Sequence, residues 1–247
     1  MVNIIMRLTN KIIGIDIGGT KIRSLLWTGK SVKKVQQFKT PQTKERFISL
    51  LKKIIAGYLK NNLVQGIGIG VAGRVKGKLV IACANIPYLK KFDFSKFISA
   101  PIKLAIDNDA RTFAKAEYFF GASLGPGSIL FFTIGTGIGR AYGENNKIRK
   151  ILRFENPEVW EKEYQYFRDY KSVAELAGYL VKRLLPIIQW YHPSVIVLGG
   201  GVQRAQTGKF FHKLKRELIA TGVKANIKKT KLGDNASALG ACLMLNR

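Results

Sequence analysis

The sequence predicts an α/β fold of two related lobes with a cleft between them, and three observations carry that reading. Short apolar runs that end in glycine alternate with longer segments of helical periodicity, the signature of strands interleaved with helices. The plan strand, glycine turn, strand, helix, strand occurs twice along the 247 residues. With 47% hydrophobic and 23% charged residues, a chain of this length can bury one large core or two modest ones without disulfides or structural metals.

Taken in order, Ile12 to Ile17 reads as a buried strand, Ile22 to Trp27 as a second and Val32 to Phe38 as a third, joined by glycine-containing turns into an antiparallel meander. After Pro41, Phe47, Leu50, Leu51, Ile54, Tyr58 and Leu59 recur at helical spacing while Lys44, Glu45, Lys52, Lys53 and Lys60 take the other side. That helix should cover one face of the sheet. A strand at Gly66 to Val71, a hairpin around Lys76 to Lys78, and a strand at Ile102 to Ile106 running into Asp107-Asn108-Asp109 follow, with a helix from Ala110 to Phe120. The plan then restarts with strands Ile129 to Ile134 and Ile138 to Tyr142, and Glu144 to Arg168 reads as an irregular charged stretch. A helix from Ser172 to Tyr191, a strand Val195 to Leu198, a helix Lys209 to Ala220, a strand Val223 to Ile227 and a closing helix Ala236 to Leu245 complete the pattern. The lobes expected are residues 1–109, joined by the C-terminal helix 236–247, and residues 110–235.

The sequence contains no apolar run approaching the ~18 residues that cross a bilayer, and its start runs into a patterned strand without a signal-peptide core. A cytoplasmic protein without membrane association is expected. Cys83 and Cys242 lack Cys or His neighbours at zinc spacing and read as small buried hydrophobes. The unusual property is charge: 42 Lys and Arg against 15 Asp and Glu give +27, which attracts nucleic acid and other polyanions. The basic residues are scattered, with no zinc finger, RNA-binding signature or helix-turn-helix pattern. Only non-specific nucleic-acid binding is expected from them.

Two turns carry the chemistry. In Asp16-Ile17-Gly18-Gly19-Thr20-Lys21, glycines between two strands let backbone N–H groups approach an anion closely. Asp16 at the strand end can hold Mg²⁺ through water, and Thr20 and Lys21 can donate to phosphate oxygens. An ordinary tight hairpin has the same look. Gly135-Thr136-Gly137, continuing to Gly139, has the same strand-turn-strand context in the second half of the chain. Gly199-Gly200-Gly201 follows an apolar strand, where an adenine and ribose can lie on bare backbone. Together these predict ATP as a ligand.

The DIGGTK turn, the GTGIG turn, the Asn108-Asp109 pair before a helix, the VIVLGGGV segment and the closing Gly233-Asp234-Asn235-Ala236 resemble the ROK family of sugar kinases. That family belongs to the actin and hexokinase superfamily. The resemblance implies two ribonuclease H-like lobes with a nucleotide cleft, residues 110–235 forming the nucleotide-binding lobe. It also implies a homodimer, ATP and Mg²⁺ as cofactors, and a sugar, a hexose or an N-acetylhexosamine, as substrate. Asp109 falls on the family's general base, whose alternative reading is a helix cap shared with Asn108. Gly73, Arg74, Asn85 and Asn108 fall where the family contacts sugar, and amide side chains suit hydroxyls by offering donors and an acceptor. Glu117, on the helix after Asp109, reads as structural.

The chain departs from the family pattern after its second turn. The usual Gly-Glu-x-Gly-His segment and the cysteine-rich zinc motif are missing, so no zinc is expected. Glu155 or Glu158 is offered as a substitute carboxylate, with Glu158 taken as substrate-binding, while His192 and His212 read as surface or packing residues. These departures keep a second expectation open, a non-catalytic sugar or nucleotide sensor of the same fold; a basic nucleic-acid-associated protein is a third.

Overall fold

The computed structural model describes residues 11–98, 101–122, 127–151, 157–201 and 209–245, with the side chains of 157–161 left out. The chain divides into two compact units, Met1–Ala116 with Asn235–Arg247, and Glu117–Asp234.

The first unit is built on a five-stranded sheet of β1 (Ile12–Ile17), β2 (Lys21–Trp27), β3 (Val32–Lys39), β4 (Gly66–Val71) and β8 (Lys103–Asn108), in the order β3-β2-β1-β4-β8. The first three strands form the expected meander; β4 and β8 run parallel to β1. The register places Asp16, Gly70 and Asp107 in one row, and Ile17, Val71 and Asn108 in the next. Parallel strands therefore bring Asp16 and the Asp107-Asn108-Asp109 run to the same end of the sheet, at the C-terminal ends of the strands. Helix α1 (Lys44–Leu59) starts at the Thr43 side-chain cap and buries Phe47, Leu51, Ile54, Ile55 and Tyr58. A small sheet of β5 (Arg74–Lys76), β6 (Leu79–Ala82) and β7 (Phe92–Asp93) adds Val80 and Phe92 to the same core.

From β8 the chain enters α2 (Asp109–Phe120), and the last helix, α6 (Ala236–Cys242), packs on β1 and β4. Gly68 makes that contact feasible: a Cβ there would sit 2.0 Å from the Ala241 carbonyl oxygen, so helix backbone rests on strand backbone.

The second unit repeats the sheet topology with β9 (Ile129–Ile134), β10 (Ile138–Glu144), β11 (Lys147–Arg149), β12 (Val195–Gly199) and β13 (Asn226–Lys229), in the order β11-β10-β9-β12-β13. Again a meander is followed by two strands parallel to its first. Its helices are α3 (Pro157–Tyr170), α4 (Val173–Tyr191) and α5 (Lys209–Ala220). α4 opens with a Ser172–Glu175 capping box and ends on His192 in the left-handed region at φ 43°. Leu176, Leu180, Leu184 and Ile188 of α4 and Phe210, Leu214 and Leu218 of α5 pack on Leu130, Phe132, Ile196 and Leu198 of the sheet. No helix among the described residues is long and apolar enough to cross a membrane.

The structure corrects the sequence reading in three places. The stretch Glu144 to Arg168, expected to be irregular, holds β11 and most of α3. The strand expected at Val223 to Ile227 lies at Asn226–Lys229, because Val223 and Ala225 pack against the core from the connecting loop. The closing helix ends at Cys242 rather than Leu245. Both cysteines are buried and unpaired with each other, and both histidines are exposed.

Candidate active site

In the first unit the turn from β1 to β2 is closed by Gly18 N–H donating to the Lys21 carbonyl at 3.0 Å. The Thr40 hydroxyl, two strands away, donates to the Gly18 carbonyl at 2.6 Å, and the Thr40 N–H donates to the Thr20 carbonyl at 3.1 Å. Two carbonyls of the turn are thus tied to the end of β3. Asn85 lies against this turn, since a Cβ on Gly19 would stand 2.8 Å from the Asn85 Cβ. Any side chain at position 19 would displace Asn85.

Across the sheet edge, Asn108 donates from Nδ2 to the Gly73 carbonyl at 3.1 Å and to Asp109 Oδ1 at 2.9 Å. The helix-capping reading of this pair is realised at the same time: Ala110 N–H is shared between Asn108 Oδ1 at 3.1 Å and Asp109 Oδ1 at 2.9 Å. Both sets of bonds to Asp109 fall on one oxygen. Its backbone carbonyl accepts from the hydroxyls of Thr112 and Ser237, each at 2.9 Å, so α2 and α6 fix the Asp109 main chain together. Asp107 is engaged by Arg111, whose Nε donates to it at 2.8 Å.

Asp16 faces Arg23 as its cross-strand partner, and Arg23 is held by Asn235 at 3.0 Å. Burial, reinforced by the charge of Asp109, pushes the Asp16 carboxyl up to about 8, while Lys21 and Arg23 oppose the shift. Burial also raises Asp109, against the pull of the Ala110 N–H, Arg111 and Asn108. Both carboxyls are thus raised chiefly by burial, and Asp16 also senses the charge of Asp109. Gly18, Gly19, Thr20, Lys21, Gly73, Asn85, Asn108, Asp109 and Asp16 thus lie on the loops and strand ends of one unit; Arg74, beginning β5, is exposed beside Gly73.

In the second unit, Gly135-Thr136-Gly137 forms the turn between β9 and β10, closed by Gly135 N–H to the Gly137 carbonyl at 2.9 Å. Gly200, at φ 101°, presses on it: a Cβ there would lie 2.2 Å from the Ile134 carbonyl oxygen. The Gly199 to Gly201 segment and the Gly135 turn are therefore neighbours, which the sequence, with 61 residues between Gly137 and Gly199, does not reveal. Glu158 lies on the first turn of α3, and its side chain is outside the described residues, as is Glu155 altogether. Glu117 is fully buried and accepts from Ala122 N–H at 2.7 Å and Leu232 N–H at 2.9 Å, a structural tie as expected.

Sequence reasoning missed Thr40 and Arg23, as well as the α3 side chains Tyr164 and Arg168 that bind the Gly135 turn. Arg23 was within reach, because hairpin register sets it opposite Asp16. The others are delivered by tertiary packing and leave no local pattern.

Against known proteins, residues 12–150 match the ROK family. A glucokinase from Streptomyces coelicolor is 29% identical over 143 residues, covering 56% of this chain and 45% of that protein. An N-acetyl-D-glucosamine kinase from Aliivibrio salmonicida is 27% identical over 186 residues, covering 72% of this chain and 54% of its own length. The chain thus matches about half the length of these curated relatives. Among solved structures, a ROK family glucokinase from Streptomyces griseus in complex with glucose and AMPPNP superposes with a TM-score of 0.77 at 22% identity, covering 95% of this chain and 98% of that one. The two sheets of identical topology, the glycine turns at their edges and a family match across more than half of the sequence lead to one conclusion: the chain belongs to the ROK family.

Proposed function

We propose that the protein phosphorylates a sugar hydroxyl, of a hexose or an N-acetylhexosamine, with ATP as donor and Asp109 as general base. The observation that carries this reading is the pairing of Asp109 with Asp16 beside a glycine turn, both carboxyls raised by burial and Asp109 charging the surroundings of Asp16. Asp109 Oδ1 is occupied by the Asn108 amide and the Ala110 N–H, and we assign Oδ2 to the proton. The sugar hydroxyl gives its proton to Asp109 as its oxygen bonds to the γ-phosphorus and the bond from that phosphorus to ADP breaks. Asn108, Asn85, Gly73 and Arg74 are assigned to the sugar, and Asn108 also holds Asp109 in place.

For the nucleotide, Gly18, Gly19, Thr20 and Lys21 and the Gly135, Thr136 and Gly137 turn are assigned to phosphates, and Gly199, Gly200 and Gly201 to the nucleoside. Asp16 fits a divalent cation: its carboxyl stands at about 8 with Lys21 and Arg23 already beside it, so a further positive charge arriving there favours the carboxylate. Mg²⁺ held there through water would neutralise phosphate charge as it is transferred.

The test is ADP release from Mg-ATP against a panel of hexoses and N-acetylhexosamines. Turnover that depends on one sugar class is expected, and Asp109→Asn should bind nucleotide normally while turnover falls about 1000-fold. Wild-type rates in that variant would remove Asp109 from this role; a chain that binds sugar without consuming ATP would mark it as a sensor.

A further inference from the structure

The stretch that departs from the family pattern folds into α3, and α3 reaches the Gly135 turn. The Tyr164 hydroxyl, on a fully buried ring, donates to the Gly135 carbonyl at 2.7 Å. Arg168 Nη1 donates to the Thr136 carbonyl at 2.8 Å and lies 3.4 Å from the Gly135 carbonyl. The rest of that guanidinium is committed: Nε donates to Asp169 Oδ1 at 2.7 Å and Nη2 to Asp169 Oδ2 at 2.8 Å. A bidentate carboxylate fixes the plane of the fork. Its cation also sits 5.8 Å from the centre of the Tyr164 ring.

In a trans peptide the C=O of one residue and the N–H of the next point in opposite directions. Drawing the Gly135 and Thr136 carbonyls toward α3 therefore turns the N–H groups of Thr136 and Gly137 away from it. Two successive N–H groups turned the same way form an anion-binding concavity. A glycine turn without such a tie can rotate either peptide, since glycine offers little resistance.

We infer that Tyr164 and Arg168, with Asp169 behind them, are positioning residues that aim the peptide donors of the Gly135 turn at a phosphate of the nucleotide. This rests on the kinase reading above and adds to it a device built from the segment in which the expected sugar-binding and zinc motifs are missing. Because burial raises the Tyr164 phenol, the hydroxyl remains a donor across the working pH range.

The experiment measures binding of ATP, ADP, inorganic tripolyphosphate and adenosine by calorimetry to the wild type and to Tyr164→Phe, Arg168→Met and Asp169→Asn, with the melting temperature of each. Tyr164→Phe should weaken ATP, ADP and tripolyphosphate about 10-fold and Arg168→Met about 30-fold, with Asp169→Asn between them, while adenosine affinity and melting temperature change little. A purely structural role would move adenosine and phosphate ligands together, and that result overturns the inference. Equal phosphate affinity in folded Tyr164→Phe and Asp169→Asn overturns it as well, and neither depends on Arg168→Met folding. If the wild type binds no ATP, the kinase reading itself fails, a result distinct from unchanged variants.

Discussion

Asp16 is held at a cost to the fold. Its carboxyl, pushed up to about 8, favours the protonated form in the native state relative to an unfolded value near 3.9. Its contribution to stability is fully present below about pH 4, is lost as pH rises toward about 8, and is constant above that. Asp16→Asn carries no such titration. The ligand-free variant should therefore melt with the wild type near pH 4 and about 5 °C or more above it at pH 8.5. A gap that does not widen with pH, in thermal melts across that range, would show that Lys21 and Arg23 already neutralise the carboxylate.

Among the elements, α6 is closely fitted: its backbone rests on Gly14 and Gly68, with Cys242 Sγ also against Gly14. Gly68→Ala would put a methyl 2.0 Å from the Ala241 carbonyl oxygen, against backbone on both sides, and should cost about 3 kcal/mol or more in denaturant melts. Gly57→Ala is the contrast: it lies inside α1 with nothing within 4 Å of the added methyl, and should gain about 0.8 kcal/mol from helix propensity alone. Elements whose buried residues recur at a regular period were legible from sequence. β1, β4, β9 and α5 fall on the bounds that apolar runs and helical spacing imply. α3 was not, because its inward residues Tyr164 and Phe167 stand amid a segment rich in charge, with Tyr164 anchored by its hydroxyl. The candidate site divides the same way. Asp16 and Asn108 announce themselves as polar residues at the ends of apolar strands, whereas Thr40, Tyr164 and Arg168 matter only through what folding brings beside them.

On the scale of the molecule, charge is distributed unevenly. In residues 1–116 and 235–247, 23 Lys and Arg stand with only five Asp and Glu, and three of those five, Asp16, Asp107 and Asp109, sit at one end of the sheet's parallel strands. Elsewhere in that unit only Glu45 and Asp93 offset the cations. Self-repulsion should dominate surface electrostatics, so raising NaCl from about 20 to about 300 mM should raise the melting temperature by a few degrees as the Debye length falls below about 10 Å. A melting temperature that drops with salt would instead point to ion pairs as the governing term.

The placement of α6 bears on how the protein is made. Residues 117–234 are contiguous and can close their sheet as soon as they leave the ribosome. The first unit is translated earlier yet lacks the helix that covers β1 and β4 until residue 235 has been added. During synthesis the N-terminal sheet must wait, partly uncovered, for its last piece. The unit that begins first finishes last, and the interval of exposure is set by the time needed to translate the other unit.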